Sequence, residues 1–180
     1  MKPKNLLRMA VISSAMLLTT GTASAKTLNV VTSFSILADV VENVGGSHVK
    51  VTNLVDRNGD PHDYEPAPQD AIAIHNADVT FLSGEGLEGW FARITRAANG
   101  AKPPVVVSTG IKTHEFDEDG KQVTDPHVWN DAGNVMIWVD NIEKALVAAD
   151  PQDAAYFKKN ATDYKVVLQA LDDSIRKQIA

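Results

Sequence analysis

Two of the five histidines in this chain stand in one and the same tripeptide, Asp60-Pro61-His62 and Asp125-Pro126-His127. At average residue frequencies such a tripeptide occurs by chance in on the order of one chain per hundred of this length. Proline fixes its own φ and restricts the residue before it, so each imidazole is presented from a stiff backbone. A group held in place beforehand loses less entropy when its ligand arrives. Acidic neighbours Asp60, Asp63, Glu65, Asp125 and Asp131 could accept the second ring N–H and fix the tautomer. The chemistry this pattern suits is binding of a divalent transition-metal ion. The plain alternative is a pair of loop histidines without a ligand.

The sequence contains no cysteine, so a metal site here must be built from His, Asp and Glu, and thiolate zinc sites are excluded. The other histidines are weaker candidates. His48 follows a Gly-Gly turn and reads as solvated; His75 reads as a capping or surface contact; His114 opens the acidic run Glu115 to Asp119. Gly84-Glu85-Gly86 lacks the third glycine and the Lys-Ser/Thr of a phosphate loop. Trp90, Trp129 and Trp138 read as core or site-wall residues. There is no His-Glu-x-x-His, Gly-x-Ser-x-Gly or reactive Cys, and two ligands are fewer than the three a catalytic zinc needs. The chain is therefore expected not to be an enzyme.

The elements that must position the two loops follow from periodicity. Strands are predicted at 26–31, 49–55, 78–82 and 104–108, and helices at 34–44, 69–76, 87–98 and 132–148. Residues 112–124 read as charged and irregular. Strand and helix alternate, which predicts an α/β fold with a four-stranded parallel sheet and helices on both faces. Ligands in such folds bind beyond the carboxyl ends of the strands, where both histidine loops fall. Asp150-Pro151 then opens a helix in which Phe157, Ala161, Tyr164, Leu168, Leu171, Ile175 and Ile179 recur at spacings of four and three. It would run to Ala180, about 45 Å at about 1.5 Å per residue.

Lys2, Lys4 and Arg8, an apolar run from Met9 to Leu18 and the small residues of Ala23-Ser24-Ala25 form a secretory signal, with cleavage expected after Ala25. The apolar run is shorter than the roughly 20 residues of a membrane span, so stable membrane insertion is not expected. The absence of cysteine excludes lipid attachment at the cleavage site. A net charge of −6 argues against nucleic acid or an anionic membrane as partner.

Asp60-Pro61-His62-Asp63-Tyr64-Glu65-Pro66 resembles the first ligand loop of the metal-binding receptors of ABC importers, and Asp125-Pro126-His127-Val128-Trp129 resembles the second. Gly45-Gly46, the segment from Gly84 to Trp90, and Asp150-Pro151 match that family's order and spacing. The resemblance covers nearly everything after the signal segment. It implies two α/β lobes joined by a rigid helix with one ion between them, and it makes His62 and His127 the ligands from the N-terminal lobe. The expected organisation is signal peptide 1–25, metal-binding lobe 26–149 and interlobe helix 150–180, the second lobe being absent. The implied function is a periplasmic receptor that passes zinc, manganese or iron to an ABC importer permease. Asn130-Asp131 stands where the family often has an aliphatic residue. A metal-dependent hydrolase and a cell-surface adhesion module are the alternative readings.

Overall fold

The computed structural model describes residues 26–118 and 120–180; the expected signal segment, 1–25, lies outside them. Strands β1 (Leu28–Phe34), β2 (Val49–Val55), β3 (Val79–Leu82) and β4 (Val105–Val106) form one sheet in the order β2-β1-β3-β4. Every pairing in it is parallel, with Val30 opposite Val51 on one side and Val79 on the other. The central strand β1 is apolar on both faces, and Leu28, Val30, Val31 and Phe34 are all buried. That is what a parallel strand covered on both sides requires. The start of β3 is tied to β1 through Asp78, which accepts from the backbone N–H of Asn29 at 2.9 Å and from Lys26 Nζ at 2.6 Å.

Helix α1 (Ser35–Gly45) presents Leu37, Val40, Val41 and Val44 to the core, the stripe expected of a half-buried helix. It stops at Gly46, whose φ of 52° puts it in the left-handed region. A Cβ at Gly46 would come within 2.3 Å of the Tyr156 hydroxyl, so both backbone and packing select glycine there. Helices α1, α4 (Ala132–Ala149) and α5 (Ala154–Ile179) pack against one another, while α2 (Pro68–Asn76) packs on α3 (Phe91–Ala97). Trp138, Val139, Ile142 and Leu146 of α4 are wholly buried.

Asp150 accepts from the backbone N–H of Gln152 at 3.1 Å over a single 3-10 turn, Pro151–Asp153, and α5 follows. Its first half is anchored by Phe157, Ala161 and Leu168, which are buried, whereas Leu171, Ile175 and Ile179 are exposed. No helix among the described residues is long and apolar enough to cross a membrane.

Several details differ from the sequence expectation. The stretch read as irregular is an antiparallel hairpin, β5 (Glu115–Glu118) and β6 (Lys121–Thr124). Helix α3 begins four residues late, because Gly84 at φ 94°, Glu85 at 55° and Gly86 at 84° spend the preceding segment on turns. His48 is not solvated. Its Nδ1 lies 2.6 Å from Asp153 Oδ2, and its ring stacks on Tyr156 at 4.0 Å between centroids.

Candidate metal centre

The first histidine loop follows the carboxyl end of β2 and the second follows β6 of the hairpin, and each is built by the same local device. Asp60 Oδ1 accepts the backbone N–H of His62 at 2.8 Å, and Asp125 Oδ1 accepts that of His127 at 2.9 Å. An aspartate bonding the N–H two residues on closes an Asx turn, and the intervening proline removes the competing donor. The repeated tripeptide is thus a repeated turn that projects an imidazole from its third position.

The loops are then fixed from behind by different contacts. In the first, the Trp90 indole N–H donates to the carbonyl of Pro61 at 2.8 Å, and Tyr64 meets Trp90 edge to face at 5.0 Å. Tyr64 donates its hydroxyl to Asp70 Oδ2 at 2.8 Å, and the same oxygen accepts the Ala67 N–H at 2.7 Å, joining the loop to the start of α2. Burial, followed by the hydrogen bond to Asp70 and that residue's charge, pushes the Tyr64 phenol up to about 12. In the second loop, Trp129 packs against His127 at 5.3 Å and against Phe34 at 4.9 Å. Asn134 donates to the carbonyl of Val128 at 3.0 Å. Asp131 accepts from the Gly133 N–H at 2.7 Å, so it caps α4 and leaves the imidazoles alone.

The outcome is that His62 Nε2 and His127 Nε2 lie 3.0 Å apart across 65 positions of sequence. Asp125 Oδ1 also accepts from His127 Nδ1 at 2.7 Å. With its proton on Nδ1, His127 turns the lone pair of Nε2 outward. The carboxyl of Asp125 is held below its ordinary range, first by the backbone N–H of His127 and then by the ring. Asp60 takes only the backbone N–H of His62, so of the five carboxylates expected around the site, Asp125 is the one hydrogen-bonded to an imidazole among the described residues.

Two nitrogens at this spacing can share a proton or a metal ion. Zinc–nitrogen bonds of about 2.0–2.1 Å span 3.0 Å at an angle of about 90–97°. A tetrahedral ion would therefore widen the pair by a few tenths of an ångström. Among the described residues no third His, Asp or Glu groups with the pair as a metal cage, so an ion held here keeps positions for further ligands. His114 lines a cleft beside His127 together with Asp131 and Asn134. His75 Nδ1 lies 2.7 Å from the carbonyl of Asn99, a surface contact as expected.

One charged residue had no part in the sequence reading. Glu88 is buried, and its carboxylate accepts from Ser33 Oγ at 2.6 Å and from the backbone N–H groups of Ser83 and Gly84 at 2.7 and 3.0 Å. Its position two residues before Trp90, in a turn rich in glycine, was the available signal.

The family described as the periplasmic zinc-uptake complex component A, ZnuA, matches residues 30–180. The manganese-binding lipoprotein MntA of Halalkalibacterium halodurans is 41% identical over 162 residues, which are 89% of this chain and 53% of that protein. The iron-binding protein YfeA of Yersinia pestis is 32% identical over 87% of this chain and 50% of its own length. Among solved structures, a manganese-bound periplasmic metal-binding protein from Candidatus Liberibacter asiaticus superposes with a TM-score of 0.75 at 32% identity. That match covers 84% of this chain and 57% of the other. The chain thus spans about half the length of the relatives it matches.

Proposed function

We propose, from the premise that this chain belongs to the ZnuA family of metal-binding substrate-binding proteins, that it contributes His62 and His127 to a site for one divalent transition-metal ion. The observation that carries this is the 3.0 Å approach of the two Nε2 atoms, each presented by its own Asp-Pro-His turn. The ion is cargo, received outside the cytoplasm and handed to the permease of an ABC importer, and no catalytic step is involved. Residues 1–25 direct export and are then removed, so that the exported chain starts at Lys26. Residues 26–149 form the lobe that holds the ion, and the helix from Asp150 onward is the rigid strut of the receptor.

Zinc, manganese and iron(II) are the candidate ions. Imidazole favours zinc, whereas added carboxylate oxygens favour manganese, so the choice depends on the ligands that complete the coordination. Protons compete with the ion for the imidazole nitrogens, so acidification opposes binding.

Calorimetric titration of the chain with zinc and with manganese tests the assignment. His62→Ala and His127→Ala should each abolish most of the binding. If both variants bind as the parent does, the two histidines are not the site.

A further inference from the structure

Glu88 is a buried carboxylate, and among the described residues no lysine, arginine or histidine pairs with it. An ionised group in that position is tolerable only when hydrogen bonds replace its hydration. Here three donors do so, one from a strand and two from the segment just beyond another. Ser33 lies near the end of β1; Ser83 and Gly84 follow the end of β3. The turn that carries Glu88 is closed by Gly84, where a Cβ would meet Val106 Cγ1 at 2.4 Å and Ser108 Oγ at 2.7 Å. Ser108 also donates to Glu85 Oε1 at 2.9 Å.

What hangs from these three donors is the support of both imidazoles. Beside Ser33 is Phe34, whose ring backs Trp129, and Trp129 backs His127. Two residues beyond Glu88 is Trp90, whose indole holds the carbonyl of Pro61 next to His62. The carboxylate is the covalent and hydrogen-bonded junction of the two lines of contact. Its loss would let the Trp90 turn drift from β1, and a shift well under 1 Å matters for two ligands that must reach one ion.

We propose that Glu88 is a positioning residue that sets the separation of His62 and His127, a role that rests on those two histidines being the ligands. It touches neither the ion nor an imidazole. It acts by locking the turn of Trp90 to the ends of β1 and β3.

Glu88→Gln tests this in the full chain, because the amide keeps one acceptor oxygen but presents an N–H group toward Gly84. The probes are zinc, for affinity by calorimetry, and copper(II), whose electron paramagnetic resonance counts coordinated imidazole nitrogens. Circular dichroism and a melting curve establish that each variant is folded at the titration temperature. The parent should show two nitrogens. Folded Glu88→Gln should bind zinc about 10- to 100-fold more weakly, the range seen when a ligand's supporting contact is lost, and should show one nitrogen. A merely structural role would lower the melting temperature and leave both readouts at parent values, and that result overturns the proposal. Should Glu88→Gln fail to fold, Ser33→Ala, which removes one donor, decides the matter by the same two readouts in the same direction. His62→Ala and His127→Ala are titrated alongside. If they bind as the parent does, the site assignment falls and this role with it; if they lose binding while folded Glu88→Gln does not, the role alone falls.

Discussion

Asp125 Oδ1 holds His127 twice, taking its backbone N–H at 2.9 Å and its ring Nδ1 at 2.7 Å. Asparagine can close the same Asx turn but brings no charge to the ring. Asp125→Asn should leave the melting temperature nearly unchanged and weaken zinc binding about 10- to 100-fold, by calorimetry. Because the folded carboxyl is depressed, its contribution is present above the unfolded value of about 3.9 and is lost as pH falls through the lower folded value. Between pH 7 and pH 5 the turn therefore stays intact, and any loss of metal there reflects protons competing for the imidazoles.

Tyr64 titrates in the opposite sense. Its folded value, about 12, lies above the ordinary value of about 10. The stabilisation is thus fully present below pH 10 and disappears as pH rises through about 12. Tyr64→Phe should cost about 1–2 kcal/mol at neutral pH through the bond lost to buried Asp70. The deficit relative to the parent, read from urea melts, should shrink once the pH passes 11.

His48→Ala separates stability from function. It removes the 2.6 Å contact to Asp153 and the stack on Tyr156, which fasten the start of α5 to the turn after α1. A loss of about 1–3 kcal/mol is expected, with zinc affinity unchanged in the folded protein. His75→Ala should alter neither. Reduced affinity in folded His48→Ala would show that the base of α5 communicates with the metal loops.

Phe157 is wholly buried where α5 meets the rest of the lobe. Phe157→Ala should cost about 3–5 kcal/mol and release α5 from the lobe before the sheet opens. Hydrogen exchange should show lost amide protection from Ala154 to Leu168, while β1 and β2 keep theirs.

The alternation of strand and helix, the sheet and the twin loops could be read from the chain because each rests on local pattern. Strand β2 was placed at 49–55 since its β-branched residues are bounded by breakers. The hairpin of β5 and β6 was missed because its charged residues lack an alternating apolar face. Asp119-Gly120 is nonetheless a turn dipeptide that could have announced it. Strand β4 shrinks from five expected residues to two, although Val107 and Ser108 still donate their backbone N–H groups to Leu82 and Ser83. The environments of His48 and Glu88 were illegible for a different reason. Their partners Asp153 and Ser33 are 105 and 55 residues away, and no local rule anticipates such contacts. The spacing of the two imidazoles belongs to the same class: the tripeptides name the residues, and only the folded sheet brings them within 3.0 Å.

The strand order carries a kinetic consequence. In β2-β1-β3-β4 the loop of His62 departs from one edge strand, and the loop of His127 comes after the other. Both edges must be zipped onto β1 and β3 before the imidazoles can meet, so partly assembled chains offer an ion single histidines at best. Interactions missing from the transition state change unfolding rates and leave folding rates alone. In stopped-flow measurements zinc should therefore slow unfolding in proportion to its occupancy. Refolding should run at the same rate whether the ion is added before dilution from denaturant or after.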